Sequence, residues 1–311
     1  MKMQTQIFRI GTRSSPLAMA QALETRSRLM IAHHLPETAF EIVPIVTKGD
    51  HILHQRFHKA GGKGLFTQEI GEKLLSKELD LAVHSTKDMS AKLLDGLQLA
   101  ACLPREDVRD VFISHKVKSL QDLPLNGVIG TSSLRRQALL RRVRPDIQIV
   151  YFRGQIETRL RKLETGQADA TLLAYAGLKR LHKTHVITEI LDQETFPPAP
   201  GQGAIGIEIR IGDTRVEELV SAINHPETWD AITCERSFFT TLDGSCRTPI
   251  AAYASCKDED ISFFGMILTP DGTIFHKIHR NGKRYNAIHI GHEAAEELRF
   301  MAGKQFFQFW Q

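Results

Sequence analysis

A chain of 311 residues exceeds the usual single core and is expected to form about two or three domains. With 42% hydrophobic and 24% charged residues, the composition is that of an ordinary globular protein and excludes a largely disordered chain. A formal charge of +4 is modest, so any anion-binding role must rest on where the bases lie. The four cysteines, Cys102, Cys234, Cys246 and Cys256, have no CxxC or metal-ligand spacing. They read as reduced thiols, or as one special thiol with bystanders. Met1-Lys2-Met3-Gln4 leads straight into a strand-like run, and no stretch approaches the length of apolar residues that a bilayer needs. A cytoplasmic protein without a membrane span is expected.

Ile7-Phe8-Arg9-Ile10 reads as a strand, followed by Gly11-Thr12-Arg13-Ser14-Ser15-Pro16 and a helical run to about Ala32. Ser15 suits the N-cap and Pro16 the first helical position, where a missing N–H costs nothing. Free backbone N–H groups, serine hydroxyls and Arg13 at such a start would receive a carboxylate or phosphate. Phe40 to Thr47 is a second strand, and Pro44 within it argues for an edge or a bulge. Residues 48–64 are polar and glycine-rich. Their three histidines, His51, His54 and His58, lack converging Cys or Asp partners, so no metal site is expected. Lys59-Ala60-Gly61-Gly62-Lys63-Gly64 lacks the ending of a Walker motif, yet Lys59 and Lys63 offer charge near the next helix, about Thr67 to Ser76.

Leu79-Asp80-Leu81-Ala82-Val83 is a buried strand that ends abruptly in His84-Ser85-Thr86-Lys87-Asp88. At the carboxyl end of a strand in an open α/β sheet, Lys87 and Asp88 would face a ligand crevice; a solvated strand end is the bland alternative. A second region opens like the first. Gly127-Val128-Ile129-Gly130 feeds Thr131-Ser132-Ser133-Leu134-Arg135-Arg136 and a helix to about Val143. The pair suggests two anion-receiving helix starts and, weakly, an internal repeat.

Further strands, Ile147 to Phe152 and Asp169 to Ala174, end in Arg153-Gly154-Gln155 and lead into Ala176-Gly177-Leu178-Lys179-Arg180. The basic cluster from Arg135 to Lys162 has three competing readings: a solvated helix face, a nucleic-acid footprint, or a pocket for a small polyanion. Arg141, Arg142 and Arg144 are assigned to ordinary surface. Arg135, Arg136, Arg153, Arg159 and Arg180 fall at strand ends and first helical turns, where guanidinium groups can grip carboxylates bidentately. No zinc-finger spacing or aromatic–basic motif accompanies them, so nucleic acid is not expected as a partner.

Phe196 to Gly203 is a stiff connection that either returns the chain to the first lobe or is a simple linker. From about His225 a helix and three strand-like runs make a small α+β domain, closed by a helix over about Glu293 to Met301. Cys246 sits in Leu242-Asp243-Gly244-Ser245-Cys246-Arg247, where exposure and a neighbouring cation favour thiolate. The other three cysteines read as buried apolar fillers. The aromatic end, Phe306 to Trp310, is expected to pack against the small domain.

Taken jointly, Thr12-Arg13-Ser14-Ser15-Pro16-Leu17-Ala18, Gly61-Gly62-Lys63-Gly64-Leu65-Phe66, Ala82-Val83-His84-Ser85-Thr86-Lys87-Asp88, Gly130 to Arg136, Ala176 to Arg180 and Gly201-Gln202-Gly203-Ala204 are specific. On them, from about Phe8 through Gly303, the sequence resembles the porphobilinogen deaminase (hydroxymethylbilane synthase) family. The resemblance implies an α/β fold of two periplasmic-binding-protein-like lobes with mixed sheets and a small α+β C-terminal domain. The expected divisions are 1–103 with 201–222, then 104–200, then 223–311.

It implies a transferase of tetrapyrrole and heme biosynthesis that joins four porphobilinogen molecules head to tail, with loss of ammonia, into hydroxymethylbilane. It further implies a covalent dipyrromethane cofactor on Cys246 through a thioether, Asp88 as catalytic carboxylate, and a monomer without metal. Arg13, Ser15, Lys59, Lys63, Lys87, Thr131, Ser132, Ser133, Arg135, Arg136, Arg153, Gly154, Arg159 and Arg180 fall on cofactor- or substrate-contacting positions. The sequence departs from the familiar pattern at Thr86, where Met is usual, at Gln155 and Glu157, where Asn and Gly are usual, and at Pro200, where Val is common. Glu157 would either tune Arg153 and Arg159 or lie outside the pocket.

Overall fold

The computed structural model describes residues 7–47, 67–245 and 248–310. Lys59, Lys63 and Cys246 lie outside the described residues. The chain divides into two compact units, 1–105 with 204–229, and 106–203 with 230–311.

In chain order the first unit starts with β1 (Phe8–Arg13), α1 (Pro16–His33), β2 (Phe40–Ile45), α2 (Gln68–Leu75), β3 (Leu81–Ser85) and β4 (Leu97–Cys102). The second follows with β5 (Asp110–Ser114), β6 (Val128–Gly130), α3 (Leu134–Val143), β7 (Gln148–Val150), α4 (Ile156–Glu164), β8 (Ala170–Ala174), α5 (Tyr175–Arg180) and β9 (Glu189–Ile190). Then β10 (Ile205–Arg210) and α6 (Thr214–Ser221) rejoin the first unit, and α7 (Pro226–Thr241) follows. The chain ends with β11 (Ile250–Lys257), β12 (Asp260–Leu268), β13 (Phe275–Lys283) and α8 (Ala287–Phe306).

The first sheet has the order β2-β1-β3-β10-β4. Its β1 is parallel to β2 and β3, while β10 is antiparallel to β3 and β4. The segment 196–203 is therefore followed by a strand that enters the first sheet. Pro44 sits on the edge strand β2, where a missing N–H is tolerated. The core of this sheet is apolar on β1, β3 and β10, with Ile10, Leu81, Val83, Ile205, Ile207 and Ile209 buried against Ala22 and Leu29 of α1.

The second sheet, β7-β6-β8-β5-β9, repeats that plan. There β6 is parallel to β7 and β8, and β5 is antiparallel to β8 and β9. The similarity of the two openings is thus matched by the same pattern of parallel and antiparallel pairing in both sheets, although the inner antiparallel strand comes last in chain order in the first sheet and first in the second.

The third sheet, β11-β12-β13, is wholly antiparallel. One face packs on α7 and α8 through Cys234, Phe238, Ile290, Ala294 and Leu298. Ala251, Met266 and Leu268 share a second cluster with Phe112, Leu139 and Leu172, so this sheet and the second one belong to a single compact unit. Trp310 packs on the first of these clusters and donates from Nε1 to the Leu268 carbonyl at 2.9 Å, which gives the aromatic end its place.

Candidate active site

In the first unit the sequence-predicted groups converge on the carboxyl ends of β1 and β3. Four buried residues of β3 deliver the chain to Ser85, and a single 3-10 turn over Thr86–Asp88 follows. The turn is anchored at its base. Thr86 donates its N–H to the Ala204 carbonyl at 3.0 Å, and its side chain is buried, with Oγ1 lacking a hydrogen-bond partner among the described residues. Asp88 is consequently fixed at the backbone and exposed at the side chain, while Lys87 is half-buried.

Opposite this turn α1 begins as its sequence requires. Ser15 accepts from the Ala18 N–H at 3.3 Å as the N-cap, and Pro16 occupies the first turn. Thr12, buried, donates to the Ala18 or Val83 carbonyl, each 3.2 Å away, and so locks the helix start to β3. Gln21 and Ser85 are joined by contacts of 2.8 and 3.0 Å. Arg13, Ser15, Gln21, Thr67, His84, Ser85 and Asp88 together line one pocket. It presents a cation, a carboxylate, hydroxyls and a helix N-terminus within one concavity, a set suited to a small molecule carrying both an ammonium and carboxylates. His84 is a member that sequence reading passed over. Its ring is held by Glu208 of β10, 124 positions away, at 3.0 Å.

The second unit builds an analogous helix start. Ser133 caps α3 by accepting from the Arg136 N–H, Thr131 Oγ1 accepts from the Ser133 N–H at 3.3 Å, and Ser132 donates to the Phe152 carbonyl at 3.0 Å. Arg135 and Arg136 turn inward. Arg135 donates to Asp110 and to the Pro197 carbonyl, both at 2.7 Å. Arg136 holds both oxygens of the same carboxylate, at 2.7 and 3.2 Å, and the Leu172 carbonyl at 2.8 Å. Gln202 adds a fourth donor side chain contact to Asp110 at 2.8 Å.

Burial alone pushes the Asp110 carboxyl up, but the two guanidinium groups and these hydrogen bonds hold it well below the usual carboxylate range. Two arginines against one aspartate leave the trio one positive charge in excess. Its role is therefore structural first, with a residual potential favourable to anions.

Arg153 is buried, and its carbonyl accepts from Lys162 Nζ at 3.0 Å. Gly154 has a φ of +132°, and a Cβ there would stand 2.7 Å from Thr158 Cγ2, so the turn requires glycine. Arg159 donates to the Gly154 carbonyl at 2.8 Å, and Arg180 to the Gly203 carbonyl at 2.9 Å. Glu157 lies 3.9 Å from Lys183, a half-buried pairing directed to the turn that follows α5. Arg144 departs from its assignment to ordinary surface. Its side chain is largely buried, reaching Asp146 at 2.7 Å and the Leu120 and Leu123 carbonyls at 2.9 Å. Arg141 donates to the Pro270 carbonyl and Arg142 covers the Phe275 ring. Among the described residues no group of three or more His, Cys, Asp or Glu is placed to hold a metal ion, and no helix is long and apolar enough to cross a membrane.

The family model for porphobilinogen deaminase, dipyromethane cofactor binding domain, matches residues 8–218, and that for the porphobilinogen deaminase C-terminal domain matches residues 229–299. The chain belongs to the porphobilinogen deaminase family. A porphobilinogen deaminase of Nitrobacter winogradskyi is 52% identical over 298 residues, spanning 96% of this chain and 94% of that protein.

Solved structures also align. The VFT2 domain of Bordetella pertussis BvgS matches at 16% identity over 70% of this chain and 86% of that one, with a TM-score of 0.42. A nutrient binding protein from Burkholderia cenocepacia bound to methionine matches at 14% over 75% and 95%, with a TM-score of 0.44. Likeness at that level carries no argument here.

The matched domain is described as binding a dipyromethane cofactor. Such a group carries acetate and propionate arms, and burying them unpaired would be costly. Each unit by itself has a capped helix start with basic side chains nearby: Arg13 beside the start of α1 in the first, and Arg153 and Arg159 after the start of α3 in the second.

Proposed function

We propose that this chain joins four porphobilinogen molecules head to tail, releasing ammonia at each step, and yields hydroxymethylbilane from a dipyrromethane held by Cys246 through a thioether. Membership of the family across nearly the full chain supports the reaction. The observation that carries the residue assignment is the exposed Asp88 on a rigid turn at the rim of the pocket with Arg13 and Ser15. Arg13 and the start of α1 receive the substrate's carboxylates. Asp88 accepts from the pyrrole N–H and stabilises the positive charge that develops as ammonia leaves. Thr131, Ser132, Ser133, Arg153, Gly154, Arg159 and Arg180, with Lys59, Lys63 and Lys87, are assigned to further carboxylates; Arg135 and Arg136 contribute the excess charge of their trio with Asp110. A dipyrromethane bound at Cys246 would supply the free ring carbon from which the product is extended. Cys246 itself is an anchor and does no chemistry in turnover.

We further assign the chain to the cytoplasm as a monomer. Cys102, Cys234 and Cys256 are uncrosslinked thiols, which suits a reducing compartment.

Intact mass spectrometry tests the proposal. The purified protein should carry a dipyrromethane increment and gain successive pyrrole increments with porphobilinogen, and Cys246→Ala should carry none. An unmodified parent chain that never gains them overturns the reading; a Cys246→Ala protein with the parent's covalent excess overturns the anchor.

A further inference from the structure

Behind the pocket bordered by Asp88, β3 and β10 bring two buried titratable side chains together. His84 Nε2 lies 3.0 Å from Glu208 Oε2, and the two residues are 5% and 3% exposed. They meet because β10 runs antiparallel beside β3 with Gly206 opposite His84, which places Glu208 on the same face as a diagonal neighbour. A carboxylate oxygen accepts and does not donate, so Nε2 carries a proton, and in the neutral ring Nδ1 then keeps its lone pair. His84 also lines the pocket. The charged groups around it are Glu208 from β10, Arg13 from β1 and Asp88 from the turn after β3, while α1 contributes the uncharged Ser15 and Gln21 and Thr67 lies just before α2.

Resting on the porphobilinogen reading, we propose that His84 accepts at Nδ1 the proton lost in each coupling and that Glu208 is its positioning residue. On a substrate-derived ring, the α carbon that joins the next ring must lose its hydrogen. That C–H bond breaks, its electron pair restores the pyrrole ring, and the proton forms a new N–H bond at Nδ1. The proton then passes to the ammonia released in the same cycle, which departs as ammonium and leaves His84 neutral again. Asp88 can steady a developing cation only while it is ionised. A second acceptor in the same pocket separates the two tasks, and the Glu208 carboxylate fixes the ring's tautomer and stabilises the imidazolium that forms.

The test uses the cofactor-loaded protein and porphobilinogen deuterated at its free α carbon. His84→Gln is expected to lower kcat about a hundredfold, to leave KM within about threefold, and to raise the kinetic isotope effect because C–H cleavage becomes limiting. Glu208→Gln is expected to lower kcat about tenfold, and the double variant to be no slower than His84→Gln. Nitrogen NMR of the histidine-labelled protein without substrate should show the Nε2–H tautomer for His84 in the parent and its loss in Glu208→Gln. Parental kcat in His84→Gln without a raised isotope effect overturns the proposal, as does a Glu208→Gln loss that adds in full to that of His84→Gln. Should His84→Gln fail to fold, the rate, isotope effect and spectrum of Glu208→Gln decide the matter. A parent that gains no pyrrole increments would instead refute the function itself, whereas an active parent matched by its variants would refute only this proton route.

Discussion

Asp88 and Asp110 carry the same side chain in opposite surroundings, and the contrast separates the proposed chemistry from support. Asp88 is exposed at a pocket rim, so Asp88→Asn should change stability by no more than about 0.5 kcal/mol and leave the covalent mass intact. Its turnover should fall at least about a hundredfold, measured as hydroxymethylbilane formation; near-normal kcat would refute the assigned role. Asp110 is wholly buried between Arg135, Arg136 and Gln202. Removing its charge strands two guanidinium groups, and Asp110→Asn should cost about 3–5 kcal/mol in urea unfolding at neutral pH. Because the folded carboxyl titrates below its ordinary value of 3.8, its stabilisation is present above that value and drains away as pH falls through the folded one. The stability gap between parent and Asp110→Asn should therefore narrow below about pH 4. A gap that holds constant down to pH 2 would contradict the pairing.

Among the elements, helix starts were readable and helix interiors less so. Ser15 announced its cap and Thr131-Ser132-Ser133 a second helix start, because capping is local chemistry, decided within a few residues. The last helix was expected over about Glu293 to Met301; it starts earlier, at Ala287, and breaks at Gly303, whose φ is +70°, before a final turn to Phe306. Gly291 sits inside the helix where the backbone of α7 passes. A Cβ at Gly291 would stand 2.1 Å from the Cys234 carbonyl oxygen. Gly291→Ala, which would favour an isolated helix, should instead destabilise the protein by about 1–3 kcal/mol, read from the shift of the denaturation midpoint. A neutral or stabilising outcome would mean the two helices separate easily. Burial likewise pushes the Cys234 thiol up, which makes it an inert filler.

On the scale of the molecule, two sheets share one pattern of parallel and antiparallel pairing and a third is wholly antiparallel, and segments distant in sequence meet in them. Glu235 shows how within the second unit. It is fully buried on α7 and accepts from the Gly201 N–H through one oxygen and from the Ala254 N–H through the other, both at 2.7 Å. An amide has one acceptor oxygen, so Glu235→Gln must point N–H₂ at a backbone donor. Its cost should be about 1–3 kcal/mol in thermal or urea unfolding, and an unchanged midpoint would show that the tie is dispensable.

Order along the chain was enough to reveal the strand ends, the two capped helix starts, Asp88 and the basic residues, because these features arise from periodicity and from bonds between near neighbours. It could not reveal that Arg135 and Arg136 are held by a carboxylate of the chain's own, Asp110, that Arg144 ties carbonyls, or that His84 has a carboxylate behind it. Those outcomes depend on which side chains are taken out of water together. A buried charge must find a partner wherever packing brings one, at 25 positions' distance for Asp110 and Arg135 and at 124 for His84 and Glu208.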